Sequence, residues 1–192
     1  MTAGVLVLVV GPSGAGKDAL LDAARTAHAA DARFRFVRRV ITRPADAGGE
    51  THEAVTEAAF AARDFALSWR AHGLAYGIPA DIAGDLAAGR VVVANASRAV
   101  IAEAARRFPV HVIAVTAPPD ILAARLAARG REDAADAARR LTRTVALPAA
   151  VPVETVANDA SLADGVARFL AALSRAAGGA RPEGTAPRAM PG

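Results

Sequence analysis

The chain has 192 residues, 53% of them hydrophobic, and a formal net charge of +4. That is enough to bury one core, yet no apolar run approaches the ~18 residues that a membrane span requires, so none is expected. The absence of cysteine excludes disulfides, thiolate zinc sites and cysteine nucleophiles; with no export signal, it points to the reducing cytoplasm. Aromatics make up only 4% of the chain, and without a basic patch interleaved with rings no nucleic-acid surface is expected.

In chain order, Val5 to Val10 is an unbroken apolar run rich in β-branched residues, the pattern of a strand buried on both faces of a parallel sheet. It is followed by Gly11-Pro12-Ser13-Gly14-Ala15-Gly16-Lys17, a G-x-x-x-x-G-K phosphate loop in its required place between a strand and a helix. Glycines let such a loop curl so that its amides face phosphate oxygens, and the helix N-terminus adds favourable electrostatics. Lys17 is the only lysine among 23 basic side chains, and it stands where a slim point charge reaches the β and γ phosphates. ATP with Mg2+ is therefore the expected ligand of Gly11 to Asp18. The hydroxyl that usually ends this motif and binds Mg2+ is replaced by Asp18. Its carboxylate is either a hard ligand for the ion or simply an acid that favours the helix N-terminus.

A helix is predicted from about Gly16 to Ala30, and further apolar strands at Val37 to Ile41, Val91 to Ala94, Val110 to Val115 and, more weakly, Val151 to Val156. Ser97 is the predicted N-cap of a helix that ends before Pro109. Another helix runs from Pro118–Asp120 to Arg129, with Gly130 as its cap, and places Arg125 and Arg129 four apart on one face. A last helix begins near Ser161 and sets Leu162, Val166, Phe169, Leu170 and Leu173 on one stripe, read as core. Beyond residue 177 the composition turns to Gly, Pro, Ala and Arg without periodicity, predicting a disordered tail after a single domain. Alternating strands and helices predict an α/β fold of the P-loop NTPase type, a mostly parallel sheet flanked by helices with small acceptor-binding and lid segments.

Beyond the loop, Thr42-Arg43-Pro44, Gly49-Glu50, Tyr76-Gly77-Ile78-Pro79, Gly89-Arg90 and Arg129-Gly130-Arg131 fall in an order and spacing that resemble the guanylate kinase family, over about Val5 to Ala176. Within that family the sequence is most similar to the branch that phosphorylates ribose 1,5-bisphosphate during phosphonate breakdown. The likeness rests on the run from Gly11 to Asp18, Arg38 to Pro44, Gly49 to Ala54 and Ala71 to Pro79, and it makes Asp18 a trait of the branch.

The resemblance implies acceptor-site roles for Arg43, His52, Tyr76 and Asn95, and a closing role for Arg125, Arg129 and Arg140 as the family's lid arginines. Departures from guanylate kinases are informative. The positions that read the guanine edge are Leu67 and Ile78 here, a matching aspartate is Asn95, and the second acceptor-phosphate arginine is Asp46. Hydrocarbon in place of those groups leaves guanine unpaired, at about 1–3 kcal/mol per lost partner. Arg39 and Arg43 lie on the same face of an extended segment, so Arg39 can restore the missing charge. The implied reaction is ATP-dependent phosphorylation of a small sugar phosphate by Lys17, Arg125, Arg129 and Arg140, with oligomeric state, including a homodimer, left open. The rival readings are a nucleoside monophosphate kinase and a non-enzymatic guanylate-kinase-like binding module.

Overall fold

The computed structural model of the protein describes residues 4–46, 50–128 and 151–178. Its strands are β1 (Val5–Val10), β2 (Phe34–Phe36), β3 (Val40–Ile41), β4 (Glu53–Ala54), β5 (Phe65–Ala71), β6 (Leu74–Pro79), β7 (Val91–Asn95), β8 (Val110–Thr116) and β9 (Val153–Ala157). The helices are α1 (Lys17–Ala27), α2 (Glu57–Ala61), α3 (Ile82–Ala87), α4 (Ile101–Arg107), α5 (Pro119–Ala128) and α6 (Leu162–Gly178).

Five strands form a parallel sheet in the order β2-β7-β1-β8-β9. All six residues of β1 are buried at its centre. Because successive side chains on a strand point to opposite faces, Leu6, Leu8 and Val10 pack with Ile82 and Leu86 of α3 and Ile101 and Ala104 of α4. Val5, Val7 and Val9 pack on the other face with Leu20 and Ala24 of α1 and Phe169 and Leu173 of α6. Covering both faces is what an uninterrupted apolar run requires, since neither set of side chains meets water.

A second sheet, ordered β4-β3-β6-β5, stands beside the carboxyl ends of the first. Its strands β5 and β6 pair antiparallel across His72-Gly73, whose φ angles of 54° and 72° suit the two-residue turns that match the twist of a hairpin. Leu67 and Ile78, paired across this hairpin, are fully buried in the same core as α3 and α4, and that anchors the sheet.

Four sequence expectations need correction. Val37 to Ile41 is not one strand: β2 begins three residues earlier, and the Val37 amide makes a last bond to Val93 O at 2.8 Å. The chain then leaves the main sheet at exposed Arg38, which donates to His52 O at 2.9 Å, and Val40 and Ile41 join the second sheet. That second, largely antiparallel sheet has no counterpart in the apolar runs. The first helix stops at Ala27, capped by His28, short of Ala30. Leu162, placed on the core stripe of the last helix, is 56% exposed; α6 packs only from Gly165 onward.

Ser97 stands as the cap read from the sequence, and the last helix begins near Ser161 as expected. Ser97 accepts the Ala99 amide at 3.2 Å, although a 3-10 turn over Arg98–Val100 precedes α4, and Ser161 accepts the Asp164 amide at 3.2 Å. Arg129 and Gly130, the lid with Arg140, and the tail after Gly178 lie outside the described residues.

Candidate active site

The loop after β1 is shaped by two close approaches. A Cβ on Gly16, whose φ is +86°, would lie 2.4 Å from Asn158 Nδ2, and one on Gly11 would lie 2.3 Å from Val115 O. Only glycine fits both the conformation and the space. Gly16 leads directly into α1, and no side chain caps that helix, so its first amides stay available to an anion. Lys17 Nζ reaches back over the loop to Gly11 O at 2.8 Å and Pro12 O at 3.0 Å.

Behind the loop stands Asn158, only 3% exposed and just past β9. Its Nδ2 donates to Ala15 O at 2.8 Å, and its amide donates to Thr116 O at 2.8 Å. A trans peptide points its C=O and N–H in opposite directions, and no cis bond occurs among the described residues. Drawing the Ala15 carbonyl toward the core therefore turns the Gly16 amide toward the cavity. Arg125 of α5 donates to Asn158 O at 3.1 Å and to Gly14 O at 3.5 Å, so it too grips the loop from behind. Next to Asn158, a hydrogen bond from Arg168 to Asp159 at 2.7 Å holds the Asp159 carboxyl below the ordinary carboxylate range.

In front of the loop opens a cavity of about 360 Å³, shared between the phosphate loop, the end of β7 and the second sheet. Arg39, Arg43, Glu50, Trp69 and Tyr76 form its far wall. Arg39 Nε donates to Glu50 Oε1 at 2.6 Å, an ion pair whose side chains are 12% and 14% exposed. The Arg39 guanidinium also sits over the rings of Trp69 and Tyr76, at 5.6 and 5.1 Å from their centroids, within reach of cation–π attraction. The two rings stack with centroids 5.5 Å apart. Asn95, at the end of β7, joins the two walls: its Nδ2 donates to Glu50 Oε2 at 2.8 Å and to Asp18 Oδ1 at 3.2 Å.

Of the residues expected in the site, Gly11, Ser13, Gly14, Gly16, Lys17, Asp18, Arg39, Arg43, Tyr76 and Asn95 line this cavity. Ala15 is buried in the core beside the loop, and Pro12 takes part through its one carbonyl, which accepts from both Lys17 and the Ala15 amide. His52 is not at the wall. It is 4% exposed, with Nδ1 3.0 Å from Glu50 O and Nε2 3.1 Å from Arg43 O, and it fastens the Arg43 and Glu50 segments to each other. Leu67 and Ile78 offer the cavity no polar group. Sequence reasoning did not single out Glu50, Trp69 or Asn158 as site residues. Glu50 sits within a matched motif, whereas nothing local marks Asn158, which is 143 positions from the carbonyl it binds.

Among the described residues, no group of three or more metal-ligating side chains converges. Asp18 lines the cavity beside the phosphate loop, and its carboxylate is the donor type that suits a hard cation. No described helix is long and apolar enough to cross a membrane.

The fold is shared with solved kinases. A guanylate kinase from Anaplasma phagocytophilum matches with a TM-score of 0.66 at 16% identity, over 91% of this chain and 86% of that one. A gluconokinase from Sinorhizobium meliloti matches at 0.54 and 21% identity, over 93% and 95%. Sheet order and loop together define a P-loop protein of the guanylate kinase-like fold.

No family model matches the sequence, but curated relatives do. The ribose 1,5-bisphosphate phosphokinase PhnN of Acidiphilium cryptum is 58% identical over 177 residues, covering 90% of this chain and 93% of that protein. Its namesake in Agrobacterium fabrum is 44% identical over 183 residues, covering 92% and 100%. A bifunctional ribose 1,5-bisphosphokinase-thymidine phosphorylase of Cupriavidus pinatubonensis is 51% identical over 180 residues, but this chain spans only 30% of it. The chain belongs to the ribose 1,5-bisphosphate phosphokinase family.

Proposed function

We propose that the protein transfers the γ-phosphoryl group of ATP to the C1 phosphate of ribose 1,5-bisphosphate, giving 5-phosphoribosyl 1-diphosphate and ADP, as a cytoplasmic enzyme of phosphonate breakdown. The observation that carries this reading is one cavity in which the Lys17 loop faces Arg39 and Arg43, while the hairpin positions that would read a base are buried hydrocarbon. Family membership supports the acceptor.

An oxygen of the acceptor phosphate forms a bond to the γ phosphorus as the bond from that phosphorus to the β–γ bridging oxygen breaks. A phosphate dianion is already a nucleophile, so no strong general base is needed, and catalysis is mainly alignment and charge stabilisation. The loop amides and Lys17 hold the donor; Arg39 and Arg43 hold the acceptor phosphates, with Tyr76 beside them. Asp18 would hold Mg2+, which would supply charge neutralisation for the donor phosphates. Arg125 acts through the loop it grips. Arg129 and Arg140 belong to the same reading as closing arginines, supported by their match to the family pattern.

A coupled ADP-release assay with ribose 1,5-bisphosphate, GMP and AMP tests the acceptor. Turnover confined to the sugar bisphosphate is expected; preferential turnover of GMP would replace this reading with a guanylate-type kinase.

A further inference from the structure

Glu50 is an unexpected charge in this place. A cavity built for phosphates has cationic walls, here Lys17, Arg39 and Arg43, yet a carboxylate stands among them. It is also fixed: Oε1 accepts from Arg39 Nε at 2.6 Å and Oε2 from Asn95 Nδ2 at 2.8 Å. Held at both oxygens and 14% exposed, it cannot swing away from an incoming ligand. These two bonds use about half of the positions from which a carboxylate accepts. A fixed carboxylate repels phosphate oxygens and attracts hydroxyl donors, so Glu50, paired on one side with Arg39, suits a neutral, hydroxylated part of whatever the arginines hold.

We propose that Glu50 is the specificity-determining residue that binds the ring hydroxyls of the acceptor sugar. The inference rests on the acceptor reading above, and it adds which part of the acceptor is read and by what. The sugar lies with its hydroxyl edge on Glu50, between one phosphate directed at the Lys17 loop and another held on the arginine side. Its apolar C–H edge faces the stacked rings of Trp69 and Tyr76. Asn95 is a positioning residue in this arrangement: one amide nitrogen holds Glu50 on the acceptor side and Asp18 on the donor side.

The role differs from merely steadying Arg39, and substrate analogues separate the two. kcat/KM is measured for ribose 1,5-bisphosphate and its 2-deoxy and 3-deoxy analogues with the wild-type protein, Glu50→Ala and Glu50→Gln. A hydroxyl bonded to a charged acceptor predicts that the wild type disfavours at least one deoxy analogue by about 10- to 100-fold. Glu50→Ala lowers activity on every acceptor by freeing Arg39, but loses most on the ribose acceptor, so the preference over the deoxy analogue shrinks toward none. Glu50→Gln, which still accepts through a neutral amide oxygen, falls between the two and carries the comparison if Glu50→Ala does not fold. Equal losses on all three acceptors, or a wild type indifferent to both hydroxyls, would overturn the proposal while leaving the reaction in place. No turnover of ribose 1,5-bisphosphate by the wild type, visible before any variant is made, would overturn both.

Discussion

Replacing Asn158 by alanine removes one hydrogen bond and, on the geometry above, disables the phosphate loop. The side chain is 3% exposed and supplies the partner of the Ala15 carbonyl; leaving such a group unpaired costs about 1–3 kcal/mol. The backbone bonds of residue 158, to Thr116 O and from Arg125, do not need the side chain and keep the residue in place; its packing on Gly165 of α6 is lost as well, and nucleotide binding reads the share of the loss that falls on the loop. If the released Ala15 peptide rotates, only a fraction of molecules present the Gly16 amide to phosphate, and the apparent dissociation constant rises by the inverse of that fraction. The same energy corresponds to about 5- to 150-fold. Calorimetric titration with a non-hydrolysable ATP analogue and Mg2+ reads this directly, and the acceptor's KM serves as an internal control that stays put. Nucleotide affinity within about twofold of wild type, in a variant that folds, would refute the claim that the inward-drawn carbonyl sets the loop.

Asn95→Asp puts a third carboxylate beside Asp18 and Glu50, both of which the Asn95 amide now bridges; two donated hydrogen bonds are replaced by like-charge repulsion. A lower Tm, partly restored by Mg2+ to a greater extent than in the wild type, is expected by scanning fluorimetry, and an unchanged Tm would contradict it. His111 lies in β8 with Nε2 buried and without a hydrogen-bond partner among the described residues. Burial pushes its pKa below the ordinary 6.5, against the smaller opposing pull of Glu154. Below that value the unfolded chain takes up the proton first, so stability falls as pH drops. Urea denaturation at pH 7.5 and about pH 5.5 is expected to show a smaller pH-dependent loss in His111→Val than in wild type, and equal losses would exclude His111 as a source.

The nucleotide side of the site was legible because it is contiguous. Eight residues, Gly11 to Asp18, follow a buried strand, and one backbone curl explains the whole run. The acceptor side is assembled from Arg39, Glu50, Trp69, Tyr76 and Asn95, which distant turns bring together, and no local periodicity encodes such a meeting. Family resemblance named Arg43, Tyr76 and Asn95, which line the cavity, and His52, whose buried ring sits between two backbone carbonyls and beside the Arg43 guanidinium. The hairpin was missed although His72-Gly73 carried its mark, because a two-residue turn of positive φ looks in sequence like any loop. Leu162 misled for a related reason: helical spacing names a face without saying where packing begins, and close contact of Asn158 with Gly165 starts the α6 interface one turn later.

Product identification by phosphorus NMR after incubation of the protein with ATP, Mg2+ and ribose 1,5-bisphosphate tests the central claim most directly. The account predicts loss of the C1 monophosphate signal, growth of a coupled pair from a diphosphate on C1, matching ADP, and none of these changes with Lys17→Ala. An unaltered C1 phosphate, or ATP cleaved only to inorganic phosphate, would contradict it.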